Sequence, residues 1–242
     1  MTEDRESMVK PLDDFAAFGH AETPHILPLA VLLPIMDAIE ARERYPRSRV
    51  RNIAMYAVSL ARALGCPPEI IEETRLGALL CNLGMLRVPE TILDKTTPLT
   101  PDEQARIRHH PVYGAELLAD IPELVKVTAI VRHHHEDWSG KGYPLGIHGD
   151  QIPLGARIVR ICETYDALTC ERPYRPAYPL SEALKTIAAG TNRQFDLRIV
   201  HAFKQMMQQQ PQRDEVLDRW DSVQATVKAW RVLAATTTSL RR

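Results

Sequence analysis

The chain has 242 residues, enough for one large domain or one domain with appendages. Its hydrophobic content is 45%, ordinary for a globular protein, and a formal net charge of -1 supplies no basic field to attract a nucleic-acid backbone. The longest apolar stretch, Ile26–Met36, is too short for a bilayer span. An acidic polar start and four cysteines without a CxxC pair (Cys66, Cys81, Cys162, Cys170) fit a cytoplasmic protein without a signal peptide.

Residues up to about Thr23 show no sustained period and read as a loose leader. From Leu27 to Arg44, Leu29, Leu32, Leu33, Met36 and Ile39 follow helical spacing, with Pro34 as a kink or the true start. This amphipathic helix either covers the core or meets a second subunit. Arg49–Leu64 is a stronger helix, with Val50, Ile53, Ala57, Leu60 and Ala61 on one stripe and Gly65 at its end. Glu69–Leu80 follows and runs into Cys81-Asn82-Leu83-Gly84. Thr100-Pro101-Asp102-Glu103 is a capped helix start, and that helix is expected to end at His109 and His110, before Pro111. Val112–Leu118 adds a further turn or two.

Leu124–His134 is apolar and β-branched; with no other clear strand to pair with, it reads as a buried helix. Helices are expected over Pro153–Leu168, over Ser181–Ala189 with Gly190 as its stop, and from an Asp196 cap to about Gln209. The tail carries Val216, Trp220, Val223, Val227, Trp230 and Ala234, alternately four and three apart. That seam is shorter than three heptads and docks on its own domain or on a partner's. The expectation is an all-α fold. Residues 1–44 form a leader and amphipathic helix, 45–210 the core domain, and 211–242 a C-terminal helix.

The chemistry concentrates in Arg132–Pro144, which reads RHHHEDWSGKGYP. A lone histidine is usually a hydrogen-bonded core residue. Clustered imidazoles more often face a metal, a phosphate or a proton-transfer site. Cys81-Asn82, His109-His110, Glu163 and Asp166 also fall at or near helix ends, which an α-bundle can bring to one place.

At these positions the sequence resembles the HD-GYP family, a subgroup of the HD metal-dependent phosphohydrolases. The resemblance runs from about Arg49 to Met206. It is carried by LLCNLGMLRVPETIL, RHHPVYGAELL, HHHEDWSGKGYPLGIHGDQIPLGARIVRICETYDALTCERPYR and Gln194-Phe195-Asp196. It implies an HD-domain helical bundle with helical extensions at both ends. It also implies hydrolysis of cyclic di-GMP by two or three metal ions, often iron or manganese. Metals in such sites lower the pKa of water, clamp phosphate oxygens and stabilise developing charge.

The chain departs from that pattern in several places. The family's His-Asp dyad falls at Cys81 and Asn82, its following lysine at Met85, and its upstream metal histidine at Arg49. An acidic residue used by three-metal members falls at Tyr45, and the aspartate before the GYP glycine at Ser139. The resemblance keeps metal positions at His110, His134 and His135, and keeps one conservatively at Glu163. Three imidazoles suffice for one zinc, iron or manganese ion, with water or the Cys81 thiolate completing the shell. Asn82 has no charge with which to bridge two metals, and an arginine repels a divalent cation. The expectation is one metal at most, or none, and no two-metal hydrolysis.

Arg49 either stands in for a metal and holds a phosphate, or pairs with Glu163. Arg172 and Arg175 resemble family positions near the substrate phosphates, or they pair with Glu171 and Asp166. Gly142-Tyr143-Pro144 is either a turn or a docking surface, the family's loop being implicated in contacts with diguanylate cyclase (GGDEF) domains. His133 is expected to face solvent or to cap, His148 and His201 to lie on the surface, and Cys162 and Cys170 to fill the core.

Three functions remain open from the sequence. The first is a degenerate domain of cyclic di-GMP signalling with little or no hydrolysis. It would bind the nucleotide, a GGDEF-domain or other signalling protein, or a second copy through its terminal helices. The second is an active phosphohydrolase on the reduced histidine site, and the third a dimerisation module without a ligand.

Overall fold

The computed structural model describes residues 49–170 and 176–209. In chain order these form α1 (Arg49–Ala63), α2 (Pro68–Leu80), a 3-10 turn at Leu83–Arg87, and the short α3 (Glu90–Leu93). Then come α4 (Pro101–Arg108), α5 (His110–Leu118), a second 3-10 turn at Pro122–Leu124, and α6 (Val125–His133). A third 3-10 turn at Gly149–Gln151 precedes α7 (Leu154–Thr169), α8 (Leu180–Ala189) and α9 (Leu197–Gln209). Among the described residues the only β pairing is an isolated bridge between Thr191 and Phe195, so the fold is all-α. The expected helix at 27–44, the apolar seam of the tail, Tyr45, Arg172 and Arg175 lie outside the described residues, as does the Arg49 side chain.

The stripe read on α1 is the centre of the core. Val50, Ile53, Ala57, Leu60 and Ala61 are all fully buried. They pack on α2, α7 and α9. Large aliphatic side chains buried in this way each contribute about 1.5–3 kcal/mol. An aromatic line crosses the same core, with Tyr56 edge-on to Tyr165 at 5.1 Å and Tyr165 edge-on to Phe203 at 5.3 Å. It ties α1 to α7 and α9.

The apolar run before the histidines is a helix, with Val127, Ile130 and Val131 buried. Ile130 sits between two glycines of neighbouring helices. A Cβ on Gly77 of α2, or on Gly155 of α7, would fall 2.4 Å from an Ile130 side-chain carbon. The missing side chains let α6 lie close to both helices, which sets where its C-terminal end comes to rest.

A second close approach sets the start of α5. A Cβ on Gly84, in the first 3-10 turn, would lie 1.9 Å from the His110 carbonyl oxygen and 2.5 Å from the Gly114 nitrogen. The end of α2 and the start of α5 therefore meet at Gly84.

The helix starts follow their sequence signals. Thr100 and Glu103 form the expected capping box. The Asp196 carboxylate accepts the Arg198 N–H at 2.9 Å. One boundary differs from expectation: α4 stops at Arg108, and His110 opens α5 instead of closing α4. Pro111 explains this, since a proline lacking its N–H is well placed in the first turn of a new helix.

Candidate metal centre

The start of α5 and the end of α6 bring His110, His134 and His135 together. One nitrogen from each ring lies within 4.8 Å of the others. His110 and His134 are almost wholly inaccessible, and His135 is half-buried.

Hydrogen bonds settle which nitrogen each of the first two rings presents. His110 Nδ1 lies 2.8 Å from the Ile107 carbonyl, and His134 Nδ1 lies 2.7 Å from the Val131 carbonyl. A carbonyl oxygen only accepts, so both Nδ1 atoms carry the proton and both Nε2 atoms carry a lone pair. These Nε2 atoms stand 3.2 Å apart. Two nitrogens each about 2.0–2.1 Å from one zinc ion at tetrahedral angles are about 3.3 Å apart. The donor atoms, their tautomers and their spacing all fit one divalent ion. Burial, the largest influence on His134, holds its imidazole below its ordinary pKa and so keeps it in the neutral, ligating form.

His135 differs from the other two. Its Nδ1 lies 3.1 Å from Arg160 Nη1 on α7, and 3.7 Å from Glu163 Oε2 one turn further along. The same guanidinium donates from Nη2 to Asp137 Oδ1 at 3.0 Å. Glu163 is buried beside His135 but is not part of the three-nitrogen group. Tyr143 stacks on the His135 ring, with centroids 4.8 Å apart and planes 24° apart. The exposed Arg108 lies 4.5 Å above the Tyr143 ring. Burial, with Glu163 adding to it, pushes the Tyr143 hydroxyl up to about 12. It is therefore a protonated donor at neutral pH.

Glu136 organises the loop that carries Gly142, Tyr143 and Pro144. Its buried carboxylate accepts N–H bonds from Leu145 at 2.7 Å and from Gly146 at 3.0 Å. His133 packs against the same carboxylate, Nδ1 to Oε1 being 3.7 Å. This corrects the expectation that His133 faces solvent: its side chain is half-buried between α6 and the loop. Trp138 anchors the loop's other side, its backbone N–H donating to the Gln194 carbonyl at 3.2 Å. Arg157 and Arg198 lie near its ring, at 5.4 and 5.7 Å.

The dyad positions, at the C-terminal end of α2, carry different chemistry. Cys81 is fully buried and its thiol donates to the Ala78 carbonyl at 3.2 Å. It is not among the grouped donors; the sequence left either water or this thiolate to complete the shell. Asn82 is also buried, and Met85 is half-buried. His148 and His201 are exposed, as expected. Cys162 is a core residue whose thiol burial raises well above its ordinary pKa. Cys170 is only half-buried and donates to Asp166 Oδ1 at 3.5 Å.

Sequence reasoning passed over Arg160, Asp137 and the loop-holding role of Glu136. Glu136 follows the histidines directly in a Gly-rich stretch, and a carboxylate there is a natural acceptor for loop amides. For Arg160, an arginine three residues before the candidate ligand Glu163 on one helix was the available signal.

Comparison with known proteins supplies context for this geometry. A family model described as "HD domain" matches residues 34–199. A cyclic di-GMP phosphodiesterase of Pseudomonas aeruginosa is 38% identical over 166 residues, covering 68% of this chain and 40% of that protein. The cyclic di-GMP phosphodiesterase response regulator RpfG of Xanthomonas campestris is 35% identical over 188 residues, covering 71% of this chain and 50% of that protein. This chain thus spans half the length, or less, of these two relatives. Among solved structures, a cyclic GMP-AMP phosphodiesterase of Vibrio cholerae superposes with a TM-score of 0.59 at 16% identity, over 74% of this chain and 48% of that one. The HD domain of Listeria monocytogenes PgpH, in complex with cyclic-di-AMP, gives 0.52 at 15% identity, over 72% and 92%. At those identities the likeness is one of fold.

Proposed function

The chain belongs to the HD domain family, in its HD-GYP branch, and from that premise we propose that it binds a cyclic dinucleotide of the cyclic di-GMP class at a one-metal centre, with little or no hydrolysis. The observation that carries this reading is the pairing of His110 and His134. Two buried imidazoles present their lone pairs at a spacing suited to one ion, while the neighbouring dyad positions hold a thiol turned onto a carbonyl and a neutral amide. A divalent ion bound there would neutralise a phosphate and polarise its oxygen. Asn82 has no negative charge to hold a second ion, and paired ions are what activate water and clamp both reacting oxygens in two-metal hydrolysis. The loss of that arrangement lowers turnover by several orders of magnitude.

The protein's own groups suit a bound phosphodiester. Tyr143 offers a protonated hydroxyl beside His135, and Arg108 places a cation at the exposed face of the same stack. In this reading Arg49, Arg172 and Arg175 contribute further phosphate contacts, and Glu163 supports the site electrostatically. The Gly142-Tyr143-Pro144 loop ends on Leu145, which is 62% exposed, and there a GGDEF-domain or other signalling protein docks. The core is residues 45–210, with the terminal segments available for pairing two copies. No helix among the described residues is long and apolar enough to cross a membrane, consistent with action in the cytoplasm.

The test is calorimetric titration of the purified chain with cyclic di-GMP, with elemental analysis of the same sample and chromatographic detection of linear product. One ion per chain, nucleotide binding and no product are expected. Two ions with turnover, or neither ion nor nucleotide affinity, would overturn the reading.

A further inference from the structure

Arg160 stands in a place that the sequence did not suggest for a cation. Its guanidinium bonds both His135 and Asp137, and Glu163 Oε2 lies 3.7 Å from the same His135 nitrogen. Arg160 is half-buried and keeps its charge at any ordinary pH. An arginine has no acceptor, so its Nη1–H donates and His135 Nδ1 must receive with its lone pair.

That single hydrogen bond changes what His135 can offer. A neutral imidazole has one lone pair and one N–H. With Nδ1 accepting from Arg160, the lone pair is spent there, and Nε2 carries the hydrogen. Neither nitrogen is then a metal ligand. His110 and His134 stand in the opposite state, with Nδ1 donating and the lone pair on Nε2. The three rings are grouped in space, yet only two present lone pairs to the shared point.

We propose that Arg160 is a built-in cation that occupies the His135–Asp137–Glu163 half of the site and restricts metal binding to the His110–His134 half. Its fixed charge also repels a second ion from the carboxylates of Asp137 and Glu163. Arg160 is thus a positioning residue: it sets the tautomer of His135 and with it the number of ligands the site offers. The inference rests on the one-metal reading of His110 and His134.

The experiment is titration of the metal-free chain with Mn2+ and with Zn2+, by calorimetry and by competition against a metallochromic chelator. Four proteins are compared: wild type, His135→Ala, Arg160→Met, and the double variant. In the wild type, His135→Ala is expected to change affinity less than about threefold. Arg160→Met is expected to raise affinity about tenfold or more by returning an imidazole to the ion, a size typical of changes around a ligand. The double variant is expected to lose that gain. Arg160→Lys, which keeps a charge on the same helix, serves if the methionine variant fails to fold, and it is expected to bind more weakly than Arg160→Met or, alone, to stay within threefold of wild type.

A tenfold loss in His135→Ala alone would show that His135 is already a ligand and would overturn the proposal. So would an unchanged affinity in Arg160→Met, or a tenfold gain in Arg160→Lys. If wild type binds one ion and Arg160→Met behaves identically, only the role of Arg160 falls. If no protein of the set binds metal, the one-metal reading falls as well.

Discussion

His110 and His134 face one another with their Nε2 atoms 3.2 Å apart, each ring held by a carbonyl three residues earlier in the chain. Two lone pairs at that distance repel until a cation lies between them. Replacing either ring with alanine removes one of the two committed donors. His134→Ala is expected to weaken Mn2+ or Zn2+ binding by about a hundredfold. Chelator competition reads this, with far-UV circular dichroism as the check that the helices persist. Unchanged affinity would put the ion somewhere else.

Gly84→Ala tests the meeting of the first 3-10 turn with α5. The new methyl group would sit 1.9 Å from the His110 carbonyl oxygen, and both partners are backbone. Relief requires the two segments to separate. The expected cost is about 3 kcal/mol in urea unfolding, with metal affinity falling alongside because His110 moves with its helix. A loss below about 0.5 kcal/mol would show that this contact yields easily.

Glu136→Ala tests the loop carrying Gly142, Tyr143 and Pro144. The substitution strands the Leu145 and Gly146 amides that the carboxylate holds. Hydrogen bonds to charged acceptors contribute about 1.5–3 kcal/mol, so a loss of about 2–3 kcal/mol is expected. Hydrogen exchange over 142–147 should accelerate more than exchange in α1. Glu136→Gln retains one acceptor oxygen and should lie between wild type and the alanine variant.

Asp196 carries a pH prediction away from the metal centre. Burial alone would raise its carboxyl, but hydrogen bonds from Arg198 and the charges of Arg198 and Arg157 outweigh that, and its pKa lies below the ordinary 3.8. Between the folded and unfolded values the unfolded chain binds more protons, so stability falls with falling pH there. The contribution is complete above about pH 4 and is lost as pH drops through the folded value. In EDTA, the stability gap between wild type and Asp196→Asn should therefore narrow from pH 5 to pH 2. A gap that widens on acidification would contradict the ion-pair account.

Most of the helices were legible because their signals are local. The α1 stripe, the Thr100 box and the Asp196 cap all depend on residues within a few positions of one another, and Leu124–His134 read as a helix because the chain offers no other clear strand to pair with it. His110, His134 and His135 were legible through family resemblance, and the structure groups them. Arg160 was not, because its meaning lies in an approach of α7 to the end of α6, 25 residues away from His135. A charged residue on an amphipathic helix looks solvated until the packing angle is known. His133 was misjudged for a related reason: its burial comes from the Glu136 loop folding back, which helical spacing does not foretell. The His110 boundary was misjudged because Pro111 was taken as a terminator when it serves as a first-turn residue.

The carbonyls of Ile107 and Val131 have a consequence for how this protein can change over generations. Each holds its imidazole from within the same short run of chain, three residues before the ring. These two hydrogen bonds are therefore inherited with their own runs of chain and not with positions 81, 82 or 85. A lineage can exchange its reactive residues there and still pass on these two bonds and, on the one-metal proposal, the hold on a single ion that they support.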